Sequence, residues 1–181
     1  MPDPVQVTPI DDGAFWRVTF GTSHGNVLDR RLMAALARTL RDARAARDLK
    51  AIVLEGRGGH FSFGASIQEH MPELVRDMLN DFRHLILEVF DTHVFVLAAV
   101  NGQCLGGGLE LASACHRIVA NTGATFGQPE IGVGLFAPIA SILLPERIGR
   151  ARAEDLCLTG RPVGAAEARQ MGLADDVIDG D

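Results

Sequence analysis

The chain has 181 residues, of which 47% are apolar, enough for one medium-sized domain with a real core and too apolar for a disordered segment. Its net charge is −6 and its basic charge is almost wholly arginine, Lys50 being the single lysine, which argues against a general nucleic-acid surface. The longest strongly apolar run, Val94 to Val100, is far too short to span a bilayer, and Met1-Pro2-Asp3-Pro4 opens no signal core, so a soluble, cytoplasmic protein with no membrane partner is expected.

Val5 to Ile10 and Phe15 to Phe20 read as two strands around the turn Asp11-Asp12-Gly13. Asp29 suits the N-cap of a helix running to about Ala46, with Leu32, Leu36 and Leu40 as its apolar stripe. Arg38, Arg41, Arg44 and Arg47 lie on the other side, where a solvated face is favoured over phosphate binding. Ala51 to Glu55 is a short buried strand ending in the loop Gly56-Arg57-Gly58-Gly59. A helical region enters through Ile67 to about His70 and is broken by Pro72. Glu69-His70 with Glu73 loosely suggests metal ligands, but a solvated face is the preferred reading, and no metal is expected. Leu74 to Phe90 is a long amphipathic helix.

The strand Val94 to Val100 then leads through a polar turn, Asn101-Gly102-Gln103, to Leu105-Gly106-Gly107-Gly108-Leu109-Glu110. A helix is predicted over Leu109 to Cys115 and a strand over Arg117 to Ala120. A loop holds Phe126-Gly127-Gln128-Pro129-Glu130, and Ile139 to Leu144, Arg152 to Leu158 and Ala165 to Met171 read as helices. Val177-Ile178 closes the pattern as a short strand. Alternating strands and helices define an α/β class, with no obvious linker dividing residues 1–181. Cys104, Cys115 and Cys157 are an odd number without CxxC spacing, which fits reduced thiols.

The glycine run carries the chemistry. Glycines at a strand-to-helix junction let backbone approach a ligand, and the first amides of a helix have no intrahelical partner. An oxygen gaining negative charge can use them. Phe63-Gly64-Ala65 stands at a second strand-to-helix junction, so two turns can aim two amides at one acyl oxygen. A thioester enolate is the natural anion to hold this way, and it needs no metal. Glu110 and Glu130 can then flank the neighbouring carbons, one taking a proton from water and the other returning one to carbon. Each feature alone has a plainer reading. Glycine runs are common in loops, a first-turn glutamate complements the helix dipole, and Pro129-Glu130 fits a helix start.

Taken together the blocks resemble the crotonase (enoyl-CoA hydratase/isomerase) superfamily over nearly the whole chain. The matching segments are Asn26-Val27-Leu28, Ile52 to Gly56, Phe61 to Ala65, Ala98 to Gly102, Leu105 to Ala112, Phe126 to Glu130, Leu158-Thr159-Gly160 and Gly172-Leu173-Ala174. The resemblance implies a spiral of repeated ββα units, an acyl-CoA substrate, no cofactor beyond the coenzyme A that the substrate carries, and a homotrimer or dimer of trimers. It implies that the amides of Ala65 and Gly107 form the oxyanion hole and that Glu110 and Glu130 are catalytic. It also implies that Phe63, Gly64, Ser66 and Ile67 lie along the substrate-binding segment. Keeping both glutamates favours hydration over isomerisation. A non-catalytic domain that binds CoA esters is the alternative from a different class.

The departures from the family pattern are informative. Ser66 stands where most hydratases carry Asp, and Leu135-Phe136-Ala137-Pro138-Ile139-Ala140 replaces a glycine-rich turn. In ordinary hydratases a glycine amide there helps hold the water, and Pro138 has no N–H to donate. Phe136, Pro138 and Ile139 are expected to reshape the acyl end of the site. The segments around Phe61 and Phe136 are most similar to the hydratases of cyclohexa-1,5-diene-1-carbonyl-CoA, in anaerobic breakdown of aromatic compounds. Family members continue for several helices beyond the position matching Val177, and these C-terminal helices are absent from the sequence, which ends at Asp181.

Overall fold

A computed structural model describes residues 3–21 and 25–180. Strands β1 (Val5–Ile10) and β2 (Phe15–Phe20) pair antiparallel across the Asp11-Asp12-Gly13 turn. Helix α1 (Arg30–Ala45) begins where expected: the Leu32 N–H donates to Asp29 Oδ1 at 2.7 Å, and Leu32, Leu36 and Leu40 are buried. Its arginine face is exposed at Arg38 and Arg41, and it also carries ion pairs. Arg44 Nη2 lies 2.5 Å from Glu88 Oε2 and 3.6 Å from Asp91, and Arg38 reaches Asp3 at 4.0 Å. Glu69 accepts the Arg30 N–H at 3.1 Å, so one acid of the Glu69-His70-Glu73 group caps α1.

Strand β3 (Ala51–Gly56), helix α2 (Val75–Asp91) and strands β4 (Phe95–Val100) and β5 (Gln103–Leu105) follow. Helix α3 (Gly107–Ala114) starts two residues earlier than its apolar pattern indicated, inside the glycine run. Strands β6 (Arg117–Asn121) and β7 (Thr125–Gly127) lead to helices α4 (Ala140–Ile148) and α5 (Arg150–Thr159). The chain closes with β8 (Val163–Gly164), α6 (Ala165–Met171) and β9 (Asp176–Ile178).

The larger sheet has the order β1-β2-β3-β4-β6-β9, parallel from β2 onward, and a smaller sheet has the order β5-β7-β8. Two isolated parallel bridges, Leu28 with Ala65 and Ser62 with Cys104, extend the smaller sheet towards the start of the chain. A single ββα step therefore recurs four times: a long strand, a short one and a helix. The sequence itself showed only the order strand, glycine turn, helix, and that twice, because the short strands run three residues or a single bridge and cannot express an alternating pattern. Among the described residues no helix is long and apolar enough to cross a membrane.

Alternate residues of the central strands form the core, among them Val18 and Phe20, Ile52 and Leu54, Ala98 and Val100, and Ile118 and Ala120. Helix α3 is buried at every position and packs against α2, α4, β5 and β6. Its end is held by Arg147 of α4. That guanidinium donates to the carbonyls of Ser113 (3.4 Å), Cys115 (3.1 Å) and Leu173 (3.3 Å), and pairs with Asp175 at 2.8 Å. Asp175 in turn accepts the Ile118 N–H at 2.7 Å. Arg147→Met would leave these groups short of a donor, and it is expected to cost about 2–3 kcal/mol of stability. Urea unfolding of the two proteins checks this, and equal midpoints would contradict it.

Candidate active site

The site begins with a strand that changes partners. Ser62 N–H donates to Gln103 O at 3.0 Å, and Leu105 N–H donates to Ser62 O at 2.9 Å, as in a parallel ladder. Continued for two more residues, that ladder would deliver the Gly107 N–H to Gly64 O. Instead Leu28 N–H takes Gly64 O at 2.9 Å, and Ser66 N–H donates to Leu28 O at 3.2 Å. Gly64 makes the swerve at φ +98°, and a Cβ there would stand 2.9 Å from Leu105 O. Ser62 Oγ steadies it, accepting the Gly64 N–H at 3.0 Å while donating to Asn26 O at 2.8 Å.

The swerve leaves two amides without work. Residues on either side of Ala65 bond to Leu28, so the Ala65 N–H faces the other way. Gly107 opens α3, where an N–H has no intrahelical acceptor. Among the described residues no acceptor takes either N–H. The two positions adjoin: a Cβ on Gly107 would lie 3.2 Å from Ala65 N.

Glu110 lies in the first turn of α3 and is only 4% exposed. Its Oε1 accepts the N–H groups of Ile139 (2.9 Å) and Ala140 (2.7 Å), the two amides that follow Pro138 and open α4. Ser141 Oγ fixes that turn by donating to Pro138 O at 2.8 Å. Burial pushes the Glu110 carboxyl up to about 7; the Ala140 amide opposes the shift, Glu130 adds to it, and the Ile139 amide opposes it. Glu130 belongs to the 3-10 turn Pro129–Val133. Its pKa is raised by burial, with its own backbone amide and His70 pulling it back. Glu130 Oε2 is buried without a partner, and Oε1 rests against Gly106, where a Cβ would collide with it. Gly106 also sits at φ +52°, so both its conformation and its neighbour require glycine.

The remaining expected residues border this centre unevenly. Ser66 is buried, whereas Phe63 is 46% and Ile67 81% exposed beside the Ala65 turn. A cleft of about 240 Å3 runs past Val27, Arg31, Ser66 and Gln68. Pro138 is half-buried, and Phe136 is 74% exposed. Four contributors escaped the sequence reading. The amides of Ile139 and Ala140 carry no side-chain signature, although a proline before an apolar helix marks where such amides arise. His70 of the Ile67–His70 turn acts on Glu130 through its charge. Cys157 of α5 lies close enough for Glu130 and Glu110 to raise its thiol pKa, after the larger effect of burial.

Two amides without an acceptor thus lie side by side, with the buried Glu110 carboxyl in the first turn of α3 and the half-buried Glu130 carboxyl against Gly106. The chain belongs to the enoyl-CoA hydratase/isomerase family, whose model matches residues 13–181. It is 44% identical over 172 residues to the cyclohexa-1,5-dienecarbonyl-CoA hydratase of Thauera aromatica, an alignment covering 95% of this chain and 67% of that one. It is 41% identical over 155 residues to a probable enoyl-CoA hydratase of Rhizobium meliloti, covering 84% of this chain and 60% of that one. The fold matches the crystal structure of the Bacillus anthracis enoyl-CoA hydratase with a TM-score of 0.91 at 29% identity, covering 97% of this chain and 70% of that one. The chain thus spans 60–70% of the length of these relatives.

The raised Glu110 carboxyl makes a stability prediction. At low pH it is protonated in both folded and unfolded chains and costs nothing. As pH rises from about 4.5, the unfolded chain ionises first, so stability falls until about pH 7 and then levels. Glu110→Gln removes this titration. The variant's advantage should grow from near zero at pH 4.5 to roughly 3 kcal/mol above pH 7. Urea unfolding across pH 4.5–8 measures it, and a difference that does not change with pH would contradict the assignment.

Proposed function

We propose that this chain is the catalytic core of a hydratase that adds water to the conjugated double bond of an acyl-CoA thioester. The observation that carries the reading is the pair of unoccupied amides, Ala65 and Gly107, flanked by Glu110 and Glu130. In this reading the thioester oxygen accepts from both N–H groups. Two amides hold Oε1 of Glu110 and favour its ionised form. Its other oxygen takes a proton from water as the water oxygen bonds to the conjugated carbon. The displaced electron pair moves to the thioester oxygen as an enolate, which the two amides stabilise. Glu130, whose partial burial raises its pKa and so favours the protonated form, then returns a proton to carbon. Atoms balance as the addition of one water.

For the acyl group we propose cyclohexa-1,5-diene-1-carbonyl, and with it a place in the breakdown of aromatic compounds. The 44%-identical Thauera aromatica relative supports this, as does the Pro138 turn that replaces a glycine-rich one. The same proposal includes a trimer or dimer of trimers as the working assembly. An isomerase shares the amide pair but needs only one proton-moving carboxyl, so the presence of both Glu110 and Glu130 favours hydration.

Glu110→Gln should reduce turnover of the cyclic dienoyl-CoA by at least about two orders of magnitude while leaving CoA-ester binding largely intact. Product formed in oxygen-labelled water should carry the label. Product without label would point to an isomerase. Binding without turnover of any linear or cyclic ester would leave a binding domain.

A further inference from the structure

The strand that changes partners at Gly64 is also unusual at its other end. In a ladder continued backwards from Ser62, the Gln103 N–H would donate to the carbonyl of His60. That carbonyl is already engaged, accepting from Asn26 Nδ2 at 2.8 Å. The His60 side chain takes its place: Nδ1 accepts the Gln103 N–H at 3.1 Å. A backbone N–H can only donate, so Nδ1 carries no proton and the ring hydrogen sits on Nε2. The ring reaches this position because Gly102 has no side chain, since a Cβ there would collide with Nδ1. The same ring meets Phe63 edge-on, with centroids 5.0 Å apart and planes at 78°.

We propose that His60 is a positioning residue that sets the spacing between the Ala65 and Gly107 amides; this rests on the thioester-hydratase reading above. The two amides belong to different ββα steps, and few bonds tie those steps together at the site. The Phe61 N–H is shared between Asn101 O (2.9 Å) and Gln103 O (3.0 Å). Ser62 N–H and Leu105 N–H add the two regular ladder bonds. The imidazole supplies the remaining one, and it lies at the end of the seam where the strand would otherwise fray. It also touches both steps, Gln103 on one side and Phe63, two residues before Ala65, on the other. Without the acceptor, the seam loses its bond at the His60 end, the Phe61–Ala65 segment is held less firmly against β5, and the Ala65 N–H shifts relative to Gly107.

The test uses the full 181-residue chain and a chromophoric ester, 4-(dimethylamino)cinnamoyl-CoA. The absorption of its bound form shifts to longer wavelength when two donors polarise its carbonyl. His60→Asn keeps an acceptor where Nδ1 stands, His60→Gln carries it one bond further out, and His60→Leu has none. The red shift of the bound ester should rank His and Asn together, then Gln, then Leu. In parallel, kcat of His60→Leu should fall about ten- to a hundredfold with KM within about threefold, and His60→Asn should stay within about threefold of the unchanged chain. The shift is read on bound ester alone, so a smaller folded fraction does not mimic the result. If the Leu variant fails to fold, Asn against Gln decides. Equal red shifts in all variants would remove His60 from the site and leave the hydratase reading intact. An unchanged chain that binds the ester without any red shift would overturn both.

Discussion

The site depends on one strand segment being unable to satisfy two neighbours at once. Residues 62–66 pair first with β5 and then with Leu28, and the exchange falls on Gly64. Backbone polar groups inside a fold almost always find partners, so an exchange that strands the Ala65 and Gly107 N–H groups runs against the usual accounting. It persists because Ser62 Oγ and the Asn26 side chain satisfy what surrounds it. Asn26 Nδ2 donates to Arg57 O and His60 O at 2.8 Å each, and Ser62 Oγ accepts the Gly64 N–H. Within the proposed reaction, the Ala65 and Gly107 donors lie where an acyl oxygen can use them.

The carboxyls are set by a second opposition, between burial and helix ends. Glu110 is nearly sealed from water, which favours its neutral form, yet two amides at the start of α4 favour its ionised form. Burial wins, but only as far as about 7, which leaves the group able to change state near neutral pH. Helix α4 can exert this control because it is fixed to α3 at both ends. Its first amides hold Glu110 at the head of α3, and its Arg147 holds the carbonyls at the tail. Stability and proton chemistry therefore share one helix pair.

The long elements were legible in the sequence because their periodicity is strong. Asp29 as a cap, the Leu32-Leu36-Leu40 stripe and the strands around Ile52 and Ala98 all lie where the pattern put them. The glycines at positions 64 and 106–108 were legible as a place for close approach. The short strands β5 and β7 were not, because three residues carry no period, and Gln103 read as part of a turn. Neither was the start of α3 at Gly107, since glycine has the poorest helix propensity of any residue but proline, and only tertiary packing places it there. The His60–Gln103 bond was invisible for a different reason: it replaces a backbone bond that another side chain, Asn26, has taken.

Pro138 shows how a local substitution propagates. Its ring leaves that position without an N–H, where the family resemblance implies a glycine amide that helps hold the water. The next two N–H groups do not compensate, because both are committed to Oε1 of Glu110. Within the proposed reaction, the water is then left to the free oxygen of Glu110 and to Glu130, whose Oε2 is buried without a partner. A water held by two carboxyls and no backbone amide can follow those side chains, whereas an amide would fix it to the main chain. In the proposed reaction that freedom suits a ring whose conjugated carbons sit at fixed angles to the thioester, and it ties the proposed choice of substrate to the turn before α4 rather than to the glycine run proposed to bind the oxygen.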